Sequence, residues 1–351
     1  MVFDLITKLT RMINFLPSLR FRVCAMIFIF LISNSQRSFS QVTGDYESLA
    51  TGNWSIYTNW NIYNGTAWVA ATAANGYPGQ NSATSNVTIL AGKTITLDVT
   101  PADAIASLQL GGTTTGSGAG AITFSSGTQL TVNGTVTLGS AAARTGTLTM
   151  TSGGTLFAQG FAVNAVTGNN IWTPGTGTVE LTATNTLPAS LLTSFNNLII
   201  NAGTTTLGEA ISITSALTVA SGSILNASTY IVSFANTGET ATINGTFETA
   251  DPSGFSGTTN TAIKSTNTPT ITLANTSTVL YSAPTGGQTV TGALAYNNLS
   301  FSNGSGTNSA NANIAVNGTL TTSAGGTFDL TAAFILSGML STVANSGTIS
   351  T

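Results

Sequence analysis

Apolar and hydroxyl residues alternate along most of this chain. Asn86-Val87-Thr88-Ile89-Leu90, Lys93-Thr94-Ile95-Thr96-Leu97-Asp98-Val99 and Ala106-Ser107-Leu108-Gln109-Leu110 follow one another closely. Period-two alternation predicts short strands with one face buried and the other in water. Threonine suits the wet face, because its branched Cβ fits the pleat while its hydroxyl reaches solvent.

The pattern repeats over a longer distance. Phe195-Asn196-Asn197-Leu198-Ile199-Ile200 returns as Tyr296-Asn297-Asn298-Leu299-Ser300-Phe301. Thr178-Val179-Glu180-Leu181 matches Thr278-Val279-Leu280-Tyr281, and Tyr230-Ile231-Val232-Ser233 matches Phe334-Ile335-Leu336-Ser337. Gly245 to Thr249 matches Gly347 to Thr351. A fixed period of roughly a hundred residues exceeds one supersecondary unit, so each copy holds several stacked turns of chain. The expected fold is all-β: a right-handed parallel β-solenoid, or β-helix, with an aromatic-rich N-terminal cap. The rival is a string of tandem β-sandwich domains. That rival takes the period at face value, but the modules lack the aromatic anchors of a sandwich core. The expected divisions are a signal peptide over 1–40, a cap over 41–85 and a divergent module over 86–175. Repeat modules follow over 176–275 and, truncated, over 276–351.

Shorter words mark the corners. Val132-Asn133-Gly134-Thr135, Ile243-Asn244-Gly245-Thr246 and Val316-Asn317-Gly318-Thr319 each place Asn-Gly between core-facing residues. Asn-Gly tolerates positive φ and predicts a tight corner between strands. These triplets are also formal glycosylation sequons, but turn chemistry alone explains them. The asparagine pairs at 196–197 and 297–298 predict side-chain ladders between stacked rungs, with a surface binding role as the alternative.

Residues 41–85 differ. Trp54, Trp60 and Trp68 stand there among Tyr46, Tyr57, Tyr63 and Tyr77. One reading is an aromatic platform that stacks on sugar rings. The other is a cap that hides the apolar end of the coil, since end repeats are atypical for that reason. The cap is the plainer account.

Charge changes the picture at the N-terminus. Lys8, Arg11, Arg20 and Arg22 precede the apolar run Val23 to Ile32, and small residues follow it. A basic region, a short apolar core and a small-residue site predict a secretory signal peptide cleaved after Ser40. The run is about half the length of a membrane span. Cys24, the only cysteine, leaves with it, so the mature chain has no disulfide and no thiolate. Only 5% of residues are charged, against an ordinary 25% or so. Beyond residue 40 stand three cations, Lys93, Arg144 and Lys264, against ten acids, leaving the mature chain near −7. Such a surface disfavours nucleic acid and anionic lipid, and no membrane insertion is expected after cleavage.

Catalytic chemistry is sparse. The chain has no histidine. That removes Ser–His–Asp catalysis and nearly all zinc sites. The acids Asp45, Glu47, Asp98, Asp103, Glu180, Glu209, Glu239, Glu248, Asp251 and Asp329 are scattered rather than paired for glycoside cleavage. Arg144 stands alone, where a polysaccharide lyase needs a basic cluster. No catalytic, cofactor or metal residue is assigned, and no cofactor is expected. Thr-x-Thr triplets at 94–96, 135–137, 147–149, 204–206, 270–272 and 289–291 raise an ice-binding reading, but their spacing is irregular.

Several of these words together resemble a pattern in large secreted surface proteins of Bacteroidetes. In those proteins a Trp-rich start leads into strands like Asn86–Leu90, Gly92–Asp98 and Ser107–Leu110. Later modules carry matches to Thr278–Tyr281, to Gly287-Gln288-Thr289-Val290-Thr291-Gly292, to Tyr296–Phe301 and to Gly318–Gly325. The resemblance covers most of 52–351. It implies a right-handed β-solenoid, display on or release from the cell surface, and an adhesin-like role. Such proteins usually end in a sorting domain for the type-nine secretion route. None is seen here, so the chain is read as a fragment. The expectation is a non-catalytic structural or adhesin-like protein facing an extracellular ligand or surface glycan. A carbohydrate-binding module is the alternative, ahead of an ice-binding protein or a polysaccharide-degrading β-helix.

Overall fold

The computed structural model describes residues 41–81, 85–112, 116–164, 169–292 and 294–351. The signal peptide expected over 1–40, with Cys24, lies outside the described residues. Residues 42–351 form one compact unit. It is a parallel β-solenoid of about 11 turns. Among the described residues there is no α-helix, only a 3-10 turn at Tyr57–Asn59.

The coil presents successive faces to its core. One stack begins at Tyr46–Ser48 and runs through Asn86–Ile89 and Ser107–Leu110 to the second half of Gln129–Leu138. It continues as an eight-strand stack from Asn185–Leu187 to Thr342–Asn345. A second stack starts in the first halves of Gln129–Leu138 and Thr155–Val163 and climbs through Thr178–Leu181. It ends at Thr270–Leu273. The two long strands serve both stacks, bending where Asn133 and Gly134 together oppose one residue of the neighbouring rung. Pairing is parallel between strands throughout, except in the hairpin Tyr46–Ser48, Trp60–Tyr63, Trp68–Ala70. Face-to-face sandwiches are built from antiparallel sheets, so the tandem-sandwich alternative is excluded.

The core follows from the alternation. Leu130, Leu156, Val179, Leu198, Leu217 and Ala241 form one inward column. Each is buried. The outward neighbours are mostly polar, with Thr131, Thr155, Thr178, Glu180, Asn197, Thr218 and Thr242 among them, although Phe157 and Ile199 also face outward, half in water. Each fully buried aliphatic residue contributes about 1.5–3 kcal/mol, and many such columns replace the disulfides this chain lacks. Near the C-terminal end the core turns aromatic, with rings from two sheets meeting. Tyr281 stacks on Phe301 at 5.5 Å and Phe301 on Phe328 at 4.7 Å.

The Asn-Gly words do not act as expected. Gly134, Gly245 and Gly318 are not among the residues with positive φ. What they supply is space. A Cβ on Gly245 would lie 2.2 Å from the carbonyl oxygen of Ala220, and one on Gly134 would lie 2.5 Å from that of Ala106. Only glycine lets the chain pass so close to the rung below. Gly245 and Gly318 do sit at corners between strands, whereas Gly134 lies inside Gln129–Leu138.

The repeated hexapeptides keep one local register. Thr178 pairs with Asn197 and Thr278 with Asn298. Their sheets differ, however. Asn197–Ile200 belongs to the stack that ends at Thr270–Leu273, and Asn298–Phe301 to the eight-strand stack. The second copy is therefore turned around the coil by one face. Asn196, Asn197 and Asn298 bridge rungs, through threonine and backbone rather than through one another. The Asn298 amide donates to the Ser277 carbonyl at 3.1 Å, while its oxygen accepts from the Thr319 N–H at 2.9 Å.

Candidate binding surfaces

The aromatic region forms a cap. Trp54 and Trp60 are both 0% exposed. Their rings meet edge-on at 4.9 Å, and Tyr46 packs against Trp60 at 6.4 Å. Both indole N–H groups are used internally: Trp54 donates to the Pro78 carbonyl and Trp60 to that of Trp54. A buried indole needs such a partner. Neither ring is available to stack on a sugar. Tyr63 and Trp68, 5.4 Å apart on the hairpin, remain half exposed.

The scattered acids hold turns and rungs together. Asp45 accepts from Val42 N–H and from both backbone and side chain of Asn86. Asp98 accepts from Ser55 twice. Asp329 accepts from Thr331 N–H and the Ser350 hydroxyl. Glu47, Glu180, Glu209, Glu239 and Asp251 accept from Asn61, Asn201, Ser190, Asn236 and Ser253. Burial raises the pKa of Glu47 and of Asp251, opposed in each case by those hydrogen bonds. Arg144 donates to Ser140 within its own turn. Among the described residues no three His, Cys, Asp or Glu side chains come together.

The threonine triplets are dispersed. They fall on four different sheets, at Thr94–Leu97, Gln129–Leu138, Arg144–Thr149, Thr204–Leu207, Thr270–Leu273 and Thr289–Val290. No two of these strands are direct neighbours in a sheet. A flat two-column array, which an ice face would need, is not assembled from them.

Sequence reading missed the most irregular place in the coil. Between Thr246–Thr249 and Thr270–Leu273 the chain makes an extra loop. Ile263 bridges Val232 below it and Ser256 beside it. Ser256 in turn exchanges two hydrogen bonds with the Thr291 hydroxyl. One face thus holds two segments of chain in the turn where its neighbour holds one, Thr270–Leu273. On the far side of the coil Thr278–Tyr281 and Asn298–Phe301 still pair directly. The coil is wedged open on one side only.

A buried polar network secures the wedge. The Gln288 amide donates to the carbonyls of Thr249 and Asp251, and its oxygen accepts from Ala283 N–H. Tyr281 and Tyr296 hydroxyls lie 3.2 Å apart. Tyr296 donates to the Thr291 carbonyl at 2.6 Å, and Tyr281 accepts from the Thr291 N–H at 3.0 Å. Burial pushes both phenols above their ordinary 10.0, Tyr296 well above. Beside this network opens a cleft of about 280 Å³, walled by Ile263, Pro269, Ile271 and Leu294 with Ser256 and Thr291. The Gln288–Gly292 segment was legible as a motif, but nothing in it announced a cleft.

Comparison with protein-family models, with curated proteins and with solved structures finds no match.

Proposed function

We propose that this is a non-catalytic, exported β-solenoid displayed at or released from the cell surface, with an adhesin-like role. What supports the reading most is the use made of the acids. At least eight of the ten beyond residue 40 accept hydrogen bonds that fix turns or join rungs. Groups so occupied are poorly placed for general acid–base work, which needs a carboxyl free to exchange a proton with substrate. The partner in this reading is an extracellular ligand or surface glycan met by the outward Thr, Ser and Asn columns. Export rests on the basic–apolar–small order of the first forty residues.

The test expresses the chain with its N-terminus intact. The product should appear outside the cytoplasm, beginning at Gln41. Purified, it should be retained by surface polysaccharide without releasing reducing ends. A cytoplasmic product with an intact N-terminus removes export. Steady release of sugar reducing ends removes the non-catalytic reading.

A further inference from the structure

The cleft at the wedge is bounded by two strand edges. Among the described residues Thr270–Leu273 is the last strand of its stack, and Ala295–Tyr296 the first of another. Residues 270 and 274 turn their N–H groups down onto Glu239 and Ile243. Alternate strand residues point their backbone groups to opposite sides. Ile271 and Leu273 therefore direct N–H and C=O away from the rung below, and Ile271 lines the cleft there. An open edge of this kind is a template for another strand.

We propose that the cleft receives an extended peptide, which adds to the free edge of Thr270–Leu273 and fills the rung that the wedge leaves out. The walls set its chemistry. Ile263, Pro269, Ile271 and Leu294 are apolar, and the lining has no charged side chain. The inward residues of the peptide are then uncharged and apolar, alternating with outward polar ones, as in the protein's own rungs. Backbone pairing supplies affinity and the pocket supplies selectivity for every second side chain. An apolar small molecule would leave the outward N–H and C=O groups of Ile271 and Leu273 unused. The assignment is independent of export and of glycan adhesion.

The probe is a fluorescent peptide of alternating threonine and valine with lysine at each end. It should bind the intact protein saturably and slow hydrogen exchange at the Ile271 and Leu273 amides. Ile271→Pro removes an outward N–H together with part of the apolar wall, keeps the ladder bonds of residues 270 and 274, and should weaken binding about tenfold or more. Should that variant fold poorly, Ile271→Lys puts a charge in the cleft from a half-exposed position and should weaken binding likewise. The same peptide methylated on alternate backbone nitrogens should not bind. Absence of saturable binding, unchanged exchange at Ile271 and Leu273, or equal binding of the methylated peptide would each overturn the proposal.

Discussion

The N-terminal cap and the wedge near residue 260 are two answers to one problem. Each is a place where a stack of parallel strands stops and must dispose of an edge. At the cap the edge of Tyr46–Ser48 is covered by an antiparallel hairpin. Two fully buried tryptophans, their N–H groups bonded inside, close the apolar end. At the wedge no strand among the described residues covers the far edge of Thr270–Leu273, and Ile271 and Leu273 are half exposed. Short antiparallel cover and aromatic bulk blunt an edge. A proline, small polar residues and a doubled neighbouring segment hold one open. The difference places a closed edge at the cap and an open one at the wedge.

The sharpest way to break this contrast is Trp60→Ala. Removing a fully buried indole leaves a cavity and frees the Trp54 carbonyl that it satisfied. The expected cost is about 3–5 kcal/mol, read from the denaturant midpoint. A fold that keeps its midpoint while losing glycan retention would reinstate the sugar platform. At the wedge the matching change is Gln288→Leu. It orphans the Ala283 N–H and two carbonyls, Thr249 and Asp251. Each unsatisfied buried group costs about 1–3 kcal/mol. An unchanged midpoint would mean that the network does not hold the wedge.

A third change separates two identical words. Gly245→Ala drives a methyl against the Ala220 carbonyl and should destabilise by about 1–3 kcal/mol. Gly304 also follows an asparagine, yet a Cβ there meets nothing within 4 Å, and its φ is not in the left-handed range. Gly304→Ala should therefore be neutral or stabilise by about 0.4–1 kcal/mol, through the unfolded chain. Equal effects at the two sites would mean that close approach is not what the Asn-Gly words encode.

That pair shows what the sequence could and could not disclose. Local alternation depends on neighbours in the chain, so the strands at Asn86–Ile89, Thr94–Leu97 and Ser107–Leu110 fall where alternation places them. The burial of Trp54 and Trp60 was legible for a similar reason, because a coil needs an end. The role of Gly245 depends on Ala220 and Ser223, which lie on the rung below, so turn propensity pointed to the wrong property. The placement of Phe195 and Tyr296 on different faces depends on how many strands separate them, not on their own words. The wedge depends on Ser256 meeting Thr291 across 35 residues. No period reveals a single irregular turn, and the cleft exists only because of it.

The smallest expected effect uses proton linkage to compare the two sites. In the fold, burial raises the phenol pKa of Tyr281, Tyr296 and Tyr46 above 10.0. Unfolded tyrosine ionises near its ordinary value, so above that pH the native state binds more protons than the unfolded one. Stability then falls as pH rises. The contribution is whole below pH 10.0 and is lost progressively above it, toward the raised values of the fold. Tyr281 and Tyr296 are fully buried and share one hydrogen-bond network, so the wedge carries more of this loss than the cap. Denaturant midpoints at about pH 9 and about pH 11 should differ less in the Tyr281→Phe, Tyr296→Phe double variant than in the wild type. Tyr46→Phe should narrow that difference by a smaller amount. If Tyr46→Phe narrows it as much as the double variant does, the cap rather than the wedge governs alkaline unfolding, and the contrast in how the two edges are buried fails.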